Sequence, residues 1–110
     1  MNDNFFDTFY IAGFTYYNGV DVFENLKIGT ELLLKPEPEN KFDPYAVAIY
    51  YKEEKIGFVP KESNQTISKM LNLGHSHVFE VKINQIVPNA HPERQIRVLV
   101  RIRESKGFHI

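Results

Sequence analysis

The chain has 110 residues, of which 43% are hydrophobic and 25% are charged, and its formal net charge is −1 at pH 7. This is the length of one domain with its own hydrophobic core. The near-neutral charge argues against a protein that binds nucleic acid by charge alone. There is no cysteine, which excludes a disulfide framework and a thiolate zinc site.

The charges are unevenly distributed along the chain. Residues 1–51 carry three Lys and eight Asp or Glu, whereas residues 52–110 carry ten Lys or Arg and six Glu. Such a distribution can produce one basic face, although a solvated surface is the more common outcome.

The N-terminal segment does not resemble a secretory signal. The acidic N-terminus lacks the basic region and apolar stretch of a secretory signal, and no apolar run is long enough to cross a bilayer. We therefore expect a cytoplasmic protein without membrane contact. We expect a flexible N-terminus over residues 1–7, one domain over 8–104 and a C-terminal tail over 105–110.

Short apolar and alternating segments predict about six strands and one helix. The first segment, 8–17, is aromatic and β-branched, and Gly13 within it indicates a bulge or a close backbone approach. After a turn at Asn18-Gly19, residues 21–28 predict an irregular connection or one helical turn. The remaining predicted strands are 31–35, 46–51, 55–59, 77–87 and 96–103.

The last strand shows the clearest period. Ile96, Val98, Val100 and Ile102 alternate with Arg97, Arg101 and Arg103, so one face is apolar and the other is basic. The period changes only over 62–73, where the spacing predicts a helix that Ser63 caps and that ends at Gly74.

These elements predict a mostly β fold with one helix. We expect a small closed antiparallel barrel of about six strands, of the OB-like or SH3-like kind, because a barrel removes the exposed edges of short apolar strands. The loop 36–45 is rich in Pro, Asn and Asp, yet it contains Phe42 and Tyr45. These aromatic rings either plug one end of the barrel or form part of a binding surface.

The loop and the hairpin after it resemble a known family. The run Lys-Pro-Glu-Pro-Glu-Asn-Lys-Phe-Asp-Pro-Tyr-Ala-Val-Ala-Ile-Tyr at 35–50 resembles one sequence block of HIRAN domains. The run Lys-Ile-Gly-Phe-Val-Pro-Lys-Glu-Ser at 55–63 resembles a second block, and Gly-Phe-Thr-Tyr-Tyr-Asn-Gly at 13–19 resembles a third. The resemblance covers roughly residues 8–87.

The resemblance implies a modified OB-like barrel that binds single-stranded DNA or DNA 3′ ends in DNA repair and replication-fork processing. Its partner proteins would include helicases or ATPases. Tyr16 and Phe42 occupy the positions of aromatic residues that stack on bases. Asp43 occupies the position of a carboxylate that accepts a hydrogen bond from the terminal 3′-hydroxyl, and Lys61 that of a basic residue that contacts a phosphate.

Two positions depart from the pattern of the family members that bind DNA ends, and a third departs from a residue common in the family. Thr15 replaces an Arg, Phe58 replaces a His, and Tyr45 replaces an Asn. Because each phosphate contact adds to affinity through counterion release, the first two changes lower the expected affinity. They also leave the preference for a 3′ end open. Phe58 instead extends the predicted stacking surface of Tyr16 and Phe42.

Each predicted site residue also has a structural interpretation. Aromatic residues of a small barrel often fill its core, and an Asp before Pro is a common turn former. Lys61 can be an ordinary surface lysine, and the arginine face of the last strand can be a solvated surface paired with carboxylates.

The residues indicate neither an enzyme nor a cofactor site. A nucleophile elbow, a phosphate-binding loop and a His-Glu-x-x-His motif are missing from the sequence. His75 and His77 have no third ligand in register, so we expect exposed histidines and no bound metal. Two main functions remain: binding of nucleic acid through Tyr16, Phe42, Asp43, Phe58 and Lys61, or a protein-interaction, adaptor or homodimer surface that uses the same aromatic rim. A small metalloprotein that binds metal through His75 and His77 is a remote third.

Overall fold

The computed structural model describes residues 5–17 and 19–103. Within them, six strands form one sheet in the order β1-β6-β5-β2-β3-β4, and all neighbours are antiparallel. This confirms the predicted mostly β, OB-like architecture. The strands are β1 (Phe5–Tyr10), β2 (Glu31–Pro36), β3 (Val47–Tyr51), β4 (Glu54–Phe58), β5 (Phe79–Ile86) and β6 (Ile96–Ile102).

The sheet buries one face, as the alternation predicted. Ile96, Val98 and Val100 of β6 lie in the core, and the alternate residues of β5 lie beside them. The core continues into β3 and β4 through Val47, Ile49 and Ile56 and is capped by the long helix, which contributes apolar side chains of its own.

The sheet curves into a half-barrel, whereas the sequence predicted a fully closed barrel. In the described residues, its two edges meet at one bridge, where Ala12 and Phe58 exchange two backbone hydrogen bonds of 2.9 and 2.8 Å. Gly57 permits this approach. Its φ is +153°, and a Cβ atom there would lie 2.6 Å from the carbonyl oxygen of Ala12.

The predicted first strand, 8–17, is wrong beyond Tyr10. The strand begins at Phe5, so residues 5–7 of the expected flexible N-terminus pair with β6, and residues 14–16 form a 3₁₀ turn. Gly13 adopts a φ of +69° and turns the chain, which buries Phe14 edge-to-face against Phe23 at 6.0 Å. The rest of the N-terminus, Asn18 and the expected tail at 105–110 lie outside the described residues.

Two α-helices are present in the described part of the chain: the predicted long helix, and a single turn that begins two residues before the segment 21–28. The helix α1 (Gly19–Val22) is a single turn, and α2 (Lys61–Asn72) is the predicted helix. The predicted cap is wrong: α2 starts after Pro60, whose carbonyl accepts the Ser63 N–H, and the Ser63 side chain caps nothing. None of the helices described is long and apolar enough to span a bilayer.

Candidate functional site

A groove lies beside the bridge that joins the two edges of the sheet. Four parts of the chain form it: the segment after β1, the loop 37–46, the end of β4 and the start of α2. Its volume is about 270 Å³. We call it the loop groove, and it is lined by Ala12, Tyr17, Asn40, Phe42, Asp43, Ala46, Phe58, Val59, Pro60, Lys61 and Asn64.

The loop of this groove is fixed by its own polar side chains. Asn40 Oδ1 accepts the backbone N–H groups of Phe42 at 2.8 Å and Asp43 at 3.1 Å, and its Nδ2 donates to Glu37 Oε1 at 3.0 Å. The ends of the loop are joined by the Glu37 N–H, which donates to the carbonyl of Ala46 at 2.8 Å. These hydrogen bonds hold the backbone around Phe42 in one conformation.

An ion pair ties the loop to the β3–β4 hairpin. Lys55 Nζ lies 2.8 Å from Glu37 Oε2, and it also lies 4.4 Å from the ring centroid of Phe58 and 5.0 Å from that of Tyr17. Partial burial raises the pKa of Glu37, but the hydrogen bonds from Lys55 and Asn40 and the charge of Lys55 outweigh it, so the pKa is lowered. Glu37 is therefore anionic at neutral pH.

The predicted stacking residues occupy different environments. Phe42 is 93% exposed and Tyr16 is 84% exposed, so neither ring fills the core. Phe58 is half-buried and packs edge-to-face on Tyr17 at 5.4 Å. Phe42 and Phe58 line the loop groove. The third aromatic residue that lines it is Tyr17, not the predicted Tyr16.

Asp43 both fixes the turn of the loop and places a carboxylate in the groove. Its Oδ1 accepts the Tyr45 N–H at 2.9 Å and its Oδ2 accepts from Asn64 Nδ2 at 2.8 Å. The hydrogen bond from Tyr45, that from Asn64 and the charge of Lys61 lower the pKa of Asp43. Because a carboxylate has about four lone-pair sites, Asp43 can accept a further donor such as a hydroxyl group.

Lys61 is exposed at the first position of α2, beside Asp43. An ammonium group there can contact an anion in the groove, and the free N–H groups of the helix start add to its positive potential. The groove thus contains an exposed aromatic ring, a carboxylate and a cation.

Sequence reasoning missed several residues that build this groove, namely Tyr17, Asn40, Asn64 and Lys55. Asn40 carried a readable signal, because an Asn three residues before Asp-Pro commonly fixes a turn. Asn64 and Lys55 carried none, since their partners lie 21 and 18 residues away in the chain.

The remaining candidates lie elsewhere. His77 borders a separate depression, and the described residues contain no group of three His, Asp or Glu side chains that could hold a metal ion. Arg103 pairs with Glu31 at 3.3 Å and lies 3.9 Å from Glu80, as expected for a solvated face. Thr15 is exposed and does not line the loop groove.

Comparison with known proteins agrees with the fold and the sequence blocks. The HIRAN domain family model matches residues 6–107. A crystal structure of a protein from Lactobacillus plantarum superposes with a TM-score of 0.76 at 18% identity, covering 91% of this chain and 95% of that one. The crystal structure of the HIRAN domain of human HLTF superposes with a TM-score of 0.68 at 15% identity, covering 87% and 73%. No curated protein matches the chain. From the match over nearly its whole length, the chain belongs to the HIRAN domain family.

Proposed function

We propose that this chain binds single-stranded DNA through the loop groove, as a non-catalytic module for DNA repair or replication-fork processing. The observation that carries the proposal is the exposed ring of Phe42 on a loop fixed by hydrogen bonds, with Asp43 and Lys61 beside it. An exposed aromatic ring offers a face on which a base can stack, and a loop whose backbone is already fixed loses little conformational entropy when the base binds.

Each groove residue has a separate role in this proposal. Phe42 stacks on a base, and Phe58 with Tyr17 forms the apolar wall. Asp43 accepts a hydrogen bond from a free 3′-hydroxyl, and its negative charge repels a 3′-phosphate. Lys61 contacts a backbone phosphate. Tyr16 lies outside the groove, so its ring would stack only on a nucleotide that extends beyond the groove.

Fluorescence anisotropy with a labelled strand of about ten nucleotides tests the proposal. We expect Phe42→Ala to weaken binding about 5- to 150-fold, the equivalent of about 1–3 kcal/mol for one stacked base. Leu73→Ala is the control, because Leu73 is also exposed but lies outside the groove. Equal affinities of the two variants, or no binding by the unmodified chain at about 100 μM in low salt, would refute the proposal.

The same assay distinguishes the role of Asp43 from that of Lys61. A strand with a 3′-phosphate should bind more weakly than one with a free 3′-hydroxyl, and Asp43→Asn should reduce that difference. Lys61→Ala should weaken both strands and make the salt dependence less steep by about 0.7, the value for one phosphate contact on a single strand.

A further inference from the structure

The outer face of the sheet carries a strip of positively charged side chains. Because Val98 and Val100 point into the core, Arg97, Leu99 and Arg101 of β6 point outward. Lys82 of β5 lies opposite Leu99 in the register. We call Arg97, Leu99, Arg101 and Lys82 the outer strip. A depression of about 270 Å³ on this face is lined by Leu99, Arg101, Lys82 and Asn84, and also by one acidic residue, Glu80.

The cations of the outer strip have fewer carboxylate partners than Arg103, which pairs with Glu31 and lies near Glu80. The guanidinium group of Arg101 has no hydrogen bond or ion pair within residues 5–17 and 19–103. Lys82 Nζ lies 3.8 Å from Glu80 Oε2, a long separation for an ion pair, and Lys82 is exposed. Arg97 donates to Thr8 Oγ1 at 3.1 Å and lies over the ring of Tyr10 at 5.5 Å, and no carboxylate of residues 5–17 and 19–103 forms an ion pair with it.

The outer strip begins next to the loop groove. Arg97 pairs in register with Tyr10, the last residue of β1, and the chain then reaches Ala12, which lines the groove. From Arg97 the strip continues along β6 to Arg101, four residues or about 13 Å away at the rise of a strand. Between the strip and the groove lies a depression that Tyr10 and Ala12 line together with Arg94, Glu62 and Glu93.

We propose that the outer strip binds the sugar–phosphate backbone of the DNA strand that extends from the loop groove. The inference rests on the proposed function and adds the location of the rest of the strand. Arg101 and Lys82 contact phosphates. Leu99 lies directly across from Lys82, and Glu80 lies across from Arg101. Arginine suits this role because its planar group can donate two hydrogen bonds to one phosphate.

The test compares a strand of about four nucleotides with one of about sixteen, the limits of the usual OB-fold site size. Arg101→Glu should weaken binding of the long strand about fivefold to tenfold at low salt and leave the short strand unchanged. The double variant Arg101→Glu/Lys82→Glu should make the salt dependence for the long strand less steep by about 1.4, the value for two contacts. Lys52→Glu, with the same charge change on the exposed β3–β4 turn, is the control.

The outcomes separate this inference from the proposed function. If Phe42→Ala weakens both strands but the double variant binds both like the unmodified chain, the outer strip is refuted and the groove stands. If the double variant weakens the long strand while Phe42→Ala has no effect, the groove is refuted, and the strip binds DNA without the path from the groove that we propose. If sedimentation without DNA shows a dimer that the double variant abolishes, the strip is a contact between two copies and our inference is wrong.

Discussion

Replacement of Lys55 by Met tests whether the loop groove depends on the ion pair beneath it. The Lys55 ammonium group joins Glu37 of the loop to two rings of the groove wall, those of Phe58 and Tyr17. Met preserves most of the apolar stem and removes only the charge. The variant therefore isolates the electrostatic contacts from the packing.

The contacts predict a moderate loss of stability. The side chains of Lys55 and Glu37 are 26% and 28% exposed, so their ion pair contributes at most about 1 kcal/mol. Each cation–π contact adds about 0.5–1 kcal/mol at such a site. We expect Lys55→Met to lower the free energy of unfolding by about 2 kcal/mol and to weaken DNA binding as well, because the loop loses its attachment to the hairpin.

Urea unfolding at neutral pH measures the effect. Lys52→Met is the control, since Lys52 lies over one ring, that of Tyr51, at 5.3 Å and has no ion pair in the described residues. It should lose about 0.5 kcal/mol. A double-mutant cycle with Glu37→Gln isolates the ion pair itself. If Lys55→Met is no less stable than Lys52→Met, the role assigned to Lys55 is wrong.

Three further predictions concern stability. The pKa values of Glu37 and Asp43 are lowered in the folded chain, so the unfolded chain binds more protons in acid. Urea unfolding should therefore show that the free energy of unfolding falls as the pH drops below the ordinary pKa values of 4.5 and 3.8. The fall should be less steep in Glu37→Gln. Gly57→Ala should lower the unfolding free energy by about 3 kcal/mol or more, because its Cβ would collide with the backbone of Ala12; an unchanged melting temperature would contradict this. Ser63→Ala should change stability by less than about 0.5 kcal/mol, whereas Gly74→Ala should cost about 1 kcal/mol because Gly74 has a φ of +89°.

The sequence predicted those elements whose burial follows a simple period. The strand β6 alternates apolar and basic residues, and the structure buries the apolar ones. The helix α2 was found for the same reason, and Gly74 ends it as predicted, with the His75 N–H donating to the carbonyl of Met70 and the Gly74 N–H to that of Leu71.

Elements set by distant contacts were not predictable in this way. The aromatic composition of residues 8–17 favours a strand. Residues 14–16 nevertheless form a 3₁₀ turn, because Phe14 packs against Phe23. For the same reason the sequence did not show that Tyr17, and not Tyr16, lines the groove. Asp43 and Lys61 were predicted from the resemblance, and the structure brings them together with Phe42; their roles in binding stay predictions.

Nuclear magnetic resonance provides the most direct test of the loop groove as the DNA site. Titration of the ¹⁵N-labelled chain with an unlabelled single strand reports each backbone amide separately. We predict that the largest shift changes occur at residues 40–46 and 58–64, which surround Phe42, Asp43 and Lys61. Changes confined to other surfaces, or no changes at saturating DNA, would contradict the account.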